Sequence, residues 1–327
     1  MNKYIGNSQQ ISGAEEVILA KGKGKGMTLI QVRNGLGLEI TFSADRAMDI
    51  SRVSFKGDNL GYFSPCGYVS PFLYDNKDTG FLKSFTAGFM TTCGLTAVGS
   101  PCTDGGEELP LHGSIANTPC ENYAYRETDD EIIITAAVRD AAIFAHQLIL
   151  EREYTVSKRC NKVTLCDRIS NIGSTVAPLQ VLYHCNMGYP LLSENAVLTV
   201  PVTETIARNA HAEDGIENCF VMEKPQRGYE EKCYYHKSAD GTAAIYNPDS
   251  NKGVKISFDK DELPFFTEWK MMGEYDYVLG LEPGNCLPDG RNVMREKGYL
   301  QFLNPGKCKT YHLIFEFEER LTNACYT

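Results

Sequence analysis

From residue 131 onward the chain reads as one β-rich run after another. "EIIITAAV" (131–138), "HQLILEREYTV" (146–156), "KVTLCDRISN" (162–171) and "VAPLQVLYHCNMG" (176–188) follow at short intervals. Each is rich in β-branched or alternating apolar residues, as expected of a strand with one face in a core. The pattern continues through "AVLTVPV", "AAIYNP", "GVKISF", "YLQFLN" and "TYHLIFEFEE". Turn residues in "NIGS", "NPDSNKG", "LPDG" and "NPGK" separate many of these runs. No long stretch holds a helical period. The best short-helix candidate is "DTGFLKSFTAG" (78–88), where Asp78 or Thr79 could cap. Strands at such short intervals suggest sheet packed on sheet, so we expect an all-β sandwich with few short helices. No linker or low-complexity segment breaks the chain, and residues 1–327 are expected to form a single large domain.

Charge and cysteine usage bear on partners and compartment. The formal net charge is −10, and an acidic surface argues against nucleic acid or an anionic membrane as partner. No apolar run is long enough to span a bilayer. The opening "MNKYIGNSQQISGAEE" lacks the apolar core of an export signal, so a cytoplasmic protein is expected. The 12 cysteines are scattered without a C-x-x-C pair, which in that compartment reads as reduced thiols. "KGKGKG" (21–26) lacks the spacing of a phosphate-binding loop and reads as a lysine-bearing turn between strands.

Three polar constellations could carry chemistry. "PLHGSIANTP" (110–119) holds His112 before Gly113, and "LQVLYHCNMGYPLL" (179–192) holds His184 at the end of an apolar strand. In "YVLGLEPGNCLPDGRN" (277–292), Glu282 closes an apolar run and Pro283 follows at once. Proline has no N–H, so strand pairing is expected to stop there and leave the carboxylate half in the core. Each residue also has a plain structural reading. His184 could be a hydrogen-bonded core histidine, His112 a turn residue, and Glu282 an ion-pair partner of Arg291. Together, two histidines and a carboxylate make an acid–base set. No nucleophile elbow or H-E-x-x-H helix competes with it. Cys93, Cys185 and Cys286 lie near the constellations without paired metal-ligand spacing, so no metal is expected.

"DRAMDIS" (45–51), "TAGFMTTCGL" (86–95), "LHGSIANTP" (111–119), "YHCNMGYPLL" (183–192) and "YVLGLEPGN…DGR" (277–291) resemble, in collinear order, the aldose 1-epimerase or galactose mutarotase-like superfamily. The closer likeness is to its DUF4432 branch. The resemblance implies a galactose mutarotase-like β-supersandwich with an open carbohydrate cleft on one sheet. It implies an isomerase that interconverts anomers of a small free monosaccharide, with no cofactor. Glu282 then matches the family's base, His184 its acid, and His112 the second histidine near the ring oxygen. The family's substrate-binding arginine has no counterpart in "TAGFMTTCGL", and Arg46 or Arg291 are the candidates to replace it.

In that mechanism Glu282 takes the anomeric hydroxyl proton while His184 protonates the ring oxygen. This calls for an ionised Glu282 beside a charged His184, and their opposite charges would favour that state. Trp269, the sole tryptophan, reads as a core aromatic or as a platform for a sugar's apolar face. Lys270 is its neighbour, and only one of the two can face the cleft if the segment is a regular strand. The alternative function is a non-catalytic sugar-binding or regulatory protein on the same scaffold. A lyase or a hexose-phosphate epimerase would call for a more basic cleft. The identity of the sugar is left open, and the edges and faces of such a sandwich leave room for a homodimer.

Overall fold

The computed structural model describes residues 3–319. Two large antiparallel sheets dominate it. The first has eight strands in the order Asn122–Glu127, Glu131–Ala141, Gln147–Ser157, Lys162–Asn171, Cys308–Glu318, Lys252–Phe258, Thr242–Asn247 and Val197–Thr199. The second has seven. Six run in the order Val202–Ala207, Lys232–Ser238, Phe265–Met272, Tyr277–Gly284, Ala177–Met187 and Gln301–Leu303, and Met90–Leu95 also pairs with Ala177–Met187. A smaller five-stranded sheet is built from residues 13–59.

The burial pattern separates the two large sheets. Along Glu131–Ala141, Gln147–Ser157 and Lys162–Asn171, buried residues alternate with more exposed ones, because one face packs inward and the other meets water. Ala177–Met187 and Tyr277–Gly284 are buried along almost their whole length. Their inner residues, such as Tyr183, Cys185, Leu279 and Leu281, join the core between the sheets, while loops cover the other face. Phe258 of the eight-stranded sheet stacks on Phe266 of the seven-stranded one, with centroids 5.6 Å apart.

A buried charge network ties the layers together. Arg152 donates to both carboxylate oxygens of Asp167, at 2.8 and 2.6 Å, to Asp49 at 2.7 Å and to Thr92 at 2.7 Å. Tyr183 donates to Asp167 at 2.8 Å. Every charge in this group is paired, as deep burial requires.

Two local expectations are corrected. Pairing does not stop at Pro283. Tyr277–Gly284 runs in unbroken register with Phe265–Met272, and Pro283 sits opposite Phe266. On its other side, the pairing with Ala177–Met187 skips Tyr183 and His184. A strand residue aims its N–H at one neighbour only, so the proline interrupts one ladder and spares the other. The expected helix over 78–88 is only a 3₁₀ turn, Gly80–Lys83, and Thr79 makes no side-chain cap. The α-helices are short, Ala210–Glu213 and Arg291–Glu296. Among the described residues, no helix is long and apolar enough to cross a membrane. None of the described cysteines is in a disulfide, and Cys325 lies outside the described residues.

Candidate functional site

Strand register assembles the site. Cys185 pairs with Leu281 and Leu182 with Gly284, so His184 falls opposite Glu282. Thr267 pairs with Glu282 on the other side, Tyr235 with Thr267, and Thr91 with His184. Directly opposed residues share a sheet face, so Tyr235, Thr267, Glu282, His184 and Thr91 form one row across five strands. Trp269 lies two residues along from Thr267 and shares that face. Gly280 opposes Trp269, and a Cβ there would collide with the Glu282 carboxylate. The glycine therefore makes room for the acid.

His112 arrives from a loop. Its φ is 59° and that of Gly113 is 70°, and a Cβ on Gly113 would run into the carbonyl oxygens of Gly94 and Ala97. The His112 N–H donates to the Gly99 carbonyl at 2.9 Å, and its own carbonyl accepts from the Gly94 N–H at 3.1 Å. This turn holds the His112 ring 5.6 Å from that of His184, edge to face. Phe81, Phe85 and Trp269 complete the aromatic surround, with Phe81 5.3 Å from His112 and Phe85 and Trp269 5.4 and 5.3 Å from His184.

The result is a cavity of about 270 Å³ with His112, His184, Glu282, Thr267 and Trp269 in its lining. That is room for one small ring, near the lower end of ordinary ligand sites. His184 Nε2 lies 3.2 Å from Glu282 Oε1, and both side chains are almost fully buried. The contact lacks hydrogen-bond alignment, and Glu282 Oε1 and the Nδ1 atoms of His112 and His184 have no hydrogen-bond partner among the described residues. These three atoms are buried with their hydrogen-bonding capacity unspent.

Burial sets the charges. It pushes the Glu282 carboxyl well above its ordinary range, with Glu231 adding to the rise and Arg208 opposing it. It drives the His184 imidazole well below its ordinary value, helped by His112. His112 is lowered to about 4 by burial and then by Arg208. The protein's own groups therefore favour a neutral carboxylic acid beside a neutral imidazole. Burial thus pushes both groups toward their neutral forms, against the expectation of an ionised Glu282 facing a charged His184. The two descriptions differ only in the position of one proton across the 3.2 Å gap.

The other sequence candidates divide. Trp269 lines the cavity, and its Nε1 donates to Glu231 at 2.7 Å. Lys270 points to the opposite face and is spent on the carbonyls of Asn218 and Val221 and on Glu223. Arg46 lies outside the lining; it is buried and donates to Asn117 at 2.8 Å, and not to Asp45 or Asp49. Arg291 is also outside, held by Asp104 at 2.7 Å and Glu107 at 2.6 Å, so the Glu282–Arg291 ion pair does not form. Neither expected arginine reaches the cavity because each has a local partner that captures it. The arginine that does reach it is Arg208, bonded to Ser100 at 2.8 Å and to the Pro288 carbonyl at 3.2 Å. Arg208 and Glu231 sit at the ends of outer strands, in stretches without a motif, and no sequence signal marked them. Thr267 could have been found, two residues from Trp269 on the same strand face. Cys185 alternates away from His184 along its strand. Among the described residues, no group of three or more His, Cys, Asp or Glu side chains is placed to hold a metal ion.

Residues 24–317 match the family model described as "Domain of unknown function (DUF4432)". The structure is similar to that of a Klebsiella pneumoniae protein described as a "putative aldose 1-epimerase", at 26% identity and TM-score 0.88, over 95% of this chain and 86% of that one. A galactose mutarotase-like protein from Clostridium acetobutylicum matches at 14% identity and TM-score 0.67, over 95% and 99%. The galactose 1-epimerase of Lactobacillus acidophilus matches at 13% identity and TM-score 0.64, over 94% and 99%. At these identities the last two show a shared galactose mutarotase-like fold. No curated protein matches the sequence.

Proposed function

The chain belongs to the DUF4432 family, and from that footing we propose that it interconverts the anomers of a small free sugar by acid–base ring opening. The observation that carries the reading is the buried His184–Glu282 contact of 3.2 Å on the floor of a ring-sized cavity. Similarity to a structure described as a "putative aldose 1-epimerase" supports it.

The roles follow from proton position. Glu282 as carboxylate takes the anomeric hydroxyl proton, and His184 as imidazolium gives one to the ring oxygen from Nε2. Opening the ring leaves a protonated Glu282 and a neutral His184, which is the state that burial favours. Desolvation thus stabilises the protonation state of the ring-opened stage relative to that of the cyclic anomers. Rotation about the terminal bond and the reverse transfers close the other anomer and return the pair to the ionised state from which the cycle starts, one proton shift from the neutral pair that burial favours. Each proton transfer is worth roughly 10²–10⁴ in rate. His112, kept neutral, is a hydrogen-bonding partner near the ring oxygen. Trp269 offers an apolar face, and Arg208 supplies the cationic contact that neither Arg46 nor Arg291 can reach.

Exchange spectroscopy by NMR on a panel of pentoses, deoxypentoses, ketoses and hexoses tests the proposal. Wild-type protein should accelerate anomer exchange of at least one sugar, and His184→Asn should lose that acceleration. Saturable binding of a panel sugar with exchange at the uncatalysed rate would replace the enzyme reading with that of a sugar-binding protein.

A further inference from the structure

The row Thr267, Glu282, His184 and Thr91 gives the cavity two unlike ends. Beyond Glu282 the lining is polar, with Thr267, Arg208 and Glu231. Beyond His184 the row continues to Thr91, which lies outside the lining and donates its hydroxyl to the Ala87 carbonyl at 2.6 Å. An apolar wall of Phe81, Leu82, Phe85 and Leu111 closes that end instead. Phe81 and Phe85 are buried with ring centroids 4.9 Å apart, and they pack with Ala87 and Leu111 in one cluster. Phe85 is the member that reaches His184, at 5.4 Å.

The backbone of this wall is spent as well. The Phe81 carbonyl accepts from the Ser84 N–H at 3.0 Å, the Leu82 carbonyl from the Cys66 thiol at 3.2 Å, and the Phe85 carbonyl from the Ser64 hydroxyl. Among the described lining residues, His112 is the polar side chain beside the wall, and the mechanism above places it at the ring oxygen.

This arrangement orients a sugar. With the anomeric hydroxyl over Glu282 and the ring oxygen over His184, C1 lies toward the polar end. The atom on the far side of the ring oxygen, C5 of an aldopyranose, then carries its substituent against Phe81, Phe85 and Leu111. A hydroxymethyl group would bury its hydroxyl there without a partner, which lowers affinity by roughly 5- to 150-fold. A methyl group is stabilised by the same surface.

We propose that the sugar is a 6-deoxyhexose, a pyranose with a methyl group on C5. The inference rests on the anomer-exchange reading above and names the substrate class of that site.

Matched pairs that differ only at C6 test it: D-fucose against D-galactose, D-quinovose against D-glucose, and L-rhamnose against L-mannose. Each pair is followed by NMR anomer exchange and by calorimetric titration on the wild-type protein. In at least one pair the 6-deoxy sugar should bind about tenfold or more tighter than its parent and exchange with a correspondingly higher kcat/KM. Leu111→Gln, which sets an amide on the wall, should narrow that ratio about threefold or more. Leu82→Gln, at the exposed rim, carries the same amide if the first variant does not fold. The inference is overturned if no pair shows the preference, or if the ratio is unchanged in the folded variant. Tighter binding of the 6-deoxy member without any exchange would keep the role of the wall and remove the exchange reading. Exchange at equal efficiency within every pair would do the reverse.

Discussion

His184 Nε2 and Glu282 Oε1 face each other at 3.2 Å across two neighbouring strands, with neither side chain open to solvent. A proton can pass between a buried acid and base so placed only through what lies over them, because the direct contact is misaligned for a hydrogen bond.

Glu282→Gln should abolish anomer exchange by roughly 10²–10⁴ while sugar binding persists, since the amide keeps an accepting oxygen and cannot take the proton. The double variant with His184→Asn should lose less than the product of the single losses, because neither group drives the transfer alone. NMR exchange rates on the three proteins check both statements. Wild-type exchange by Glu282→Gln would remove the carboxylate from the mechanism.

The same substitution should stabilise the fold in a pH-dependent way. The folded value of Glu282 is raised above the ordinary 4.5. Its contribution is therefore fully present below the unfolded value and is lost as pH rises through the folded one. The gain of Glu282→Gln over wild type in urea denaturation should be absent near pH 4 and grow as pH is raised. A constant difference across pH would contradict the assigned burial.

His112 has the opposite sign. Its folded value, about 4, lies below the ordinary 6.5, so its contribution is complete above pH 6.5 and is lost as pH falls toward 4. The loss over that window should be about 3 kcal/mol. His112→Asn should flatten this part of the stability–pH profile, because asparagine tolerates the positive φ without titrating. An unchanged slope between pH 6.5 and 4 would contradict this assignment.

Gly280→Ala should fold and fail to turn over. The added methyl meets the Glu282 carboxylate and lies 3.0 Å from the Trp269 Cβ, so the acid must swing from His184. Overpacking of this kind costs about 1–3 kcal/mol. Exchange should fall by up to about 10²-fold, the effect of a misplacement of about 1 Å. A variant with wild-type exchange would show that the carboxylate needs no such alignment.

Asp167→Ala should be the most destabilising of these changes and act away from the cavity. It strips Arg152 and Tyr183 of their shared partner, and breaking a buried pair costs about 3–5 kcal/mol. Urea midpoints compared at one pH would measure it, and a loss under 1 kcal/mol would mean that Asp49 alone compensates the guanidinium.

The class of fold, and the two histidines and one carboxylate worth watching, were legible in the primary structure. Strand periodicity and turn chemistry are local, so "EIIITAAV" and "VAPLQVLYHCNMG" could be read as strands without neighbours, and collinear motifs marked His112, His184 and Glu282. It did not determine which cations serve the cavity or how the pair is charged. Arg46 and Arg291 were near the motifs in sequence, yet Asn117 and Asp104 capture them, while Arg208 reaches the cavity from a segment with no motif. Those outcomes depend on which side chains meet after the sheets close. Burial depth decides them too, since the desolvation that neutralises Glu282 and His184 comes from many residues far apart along the chain.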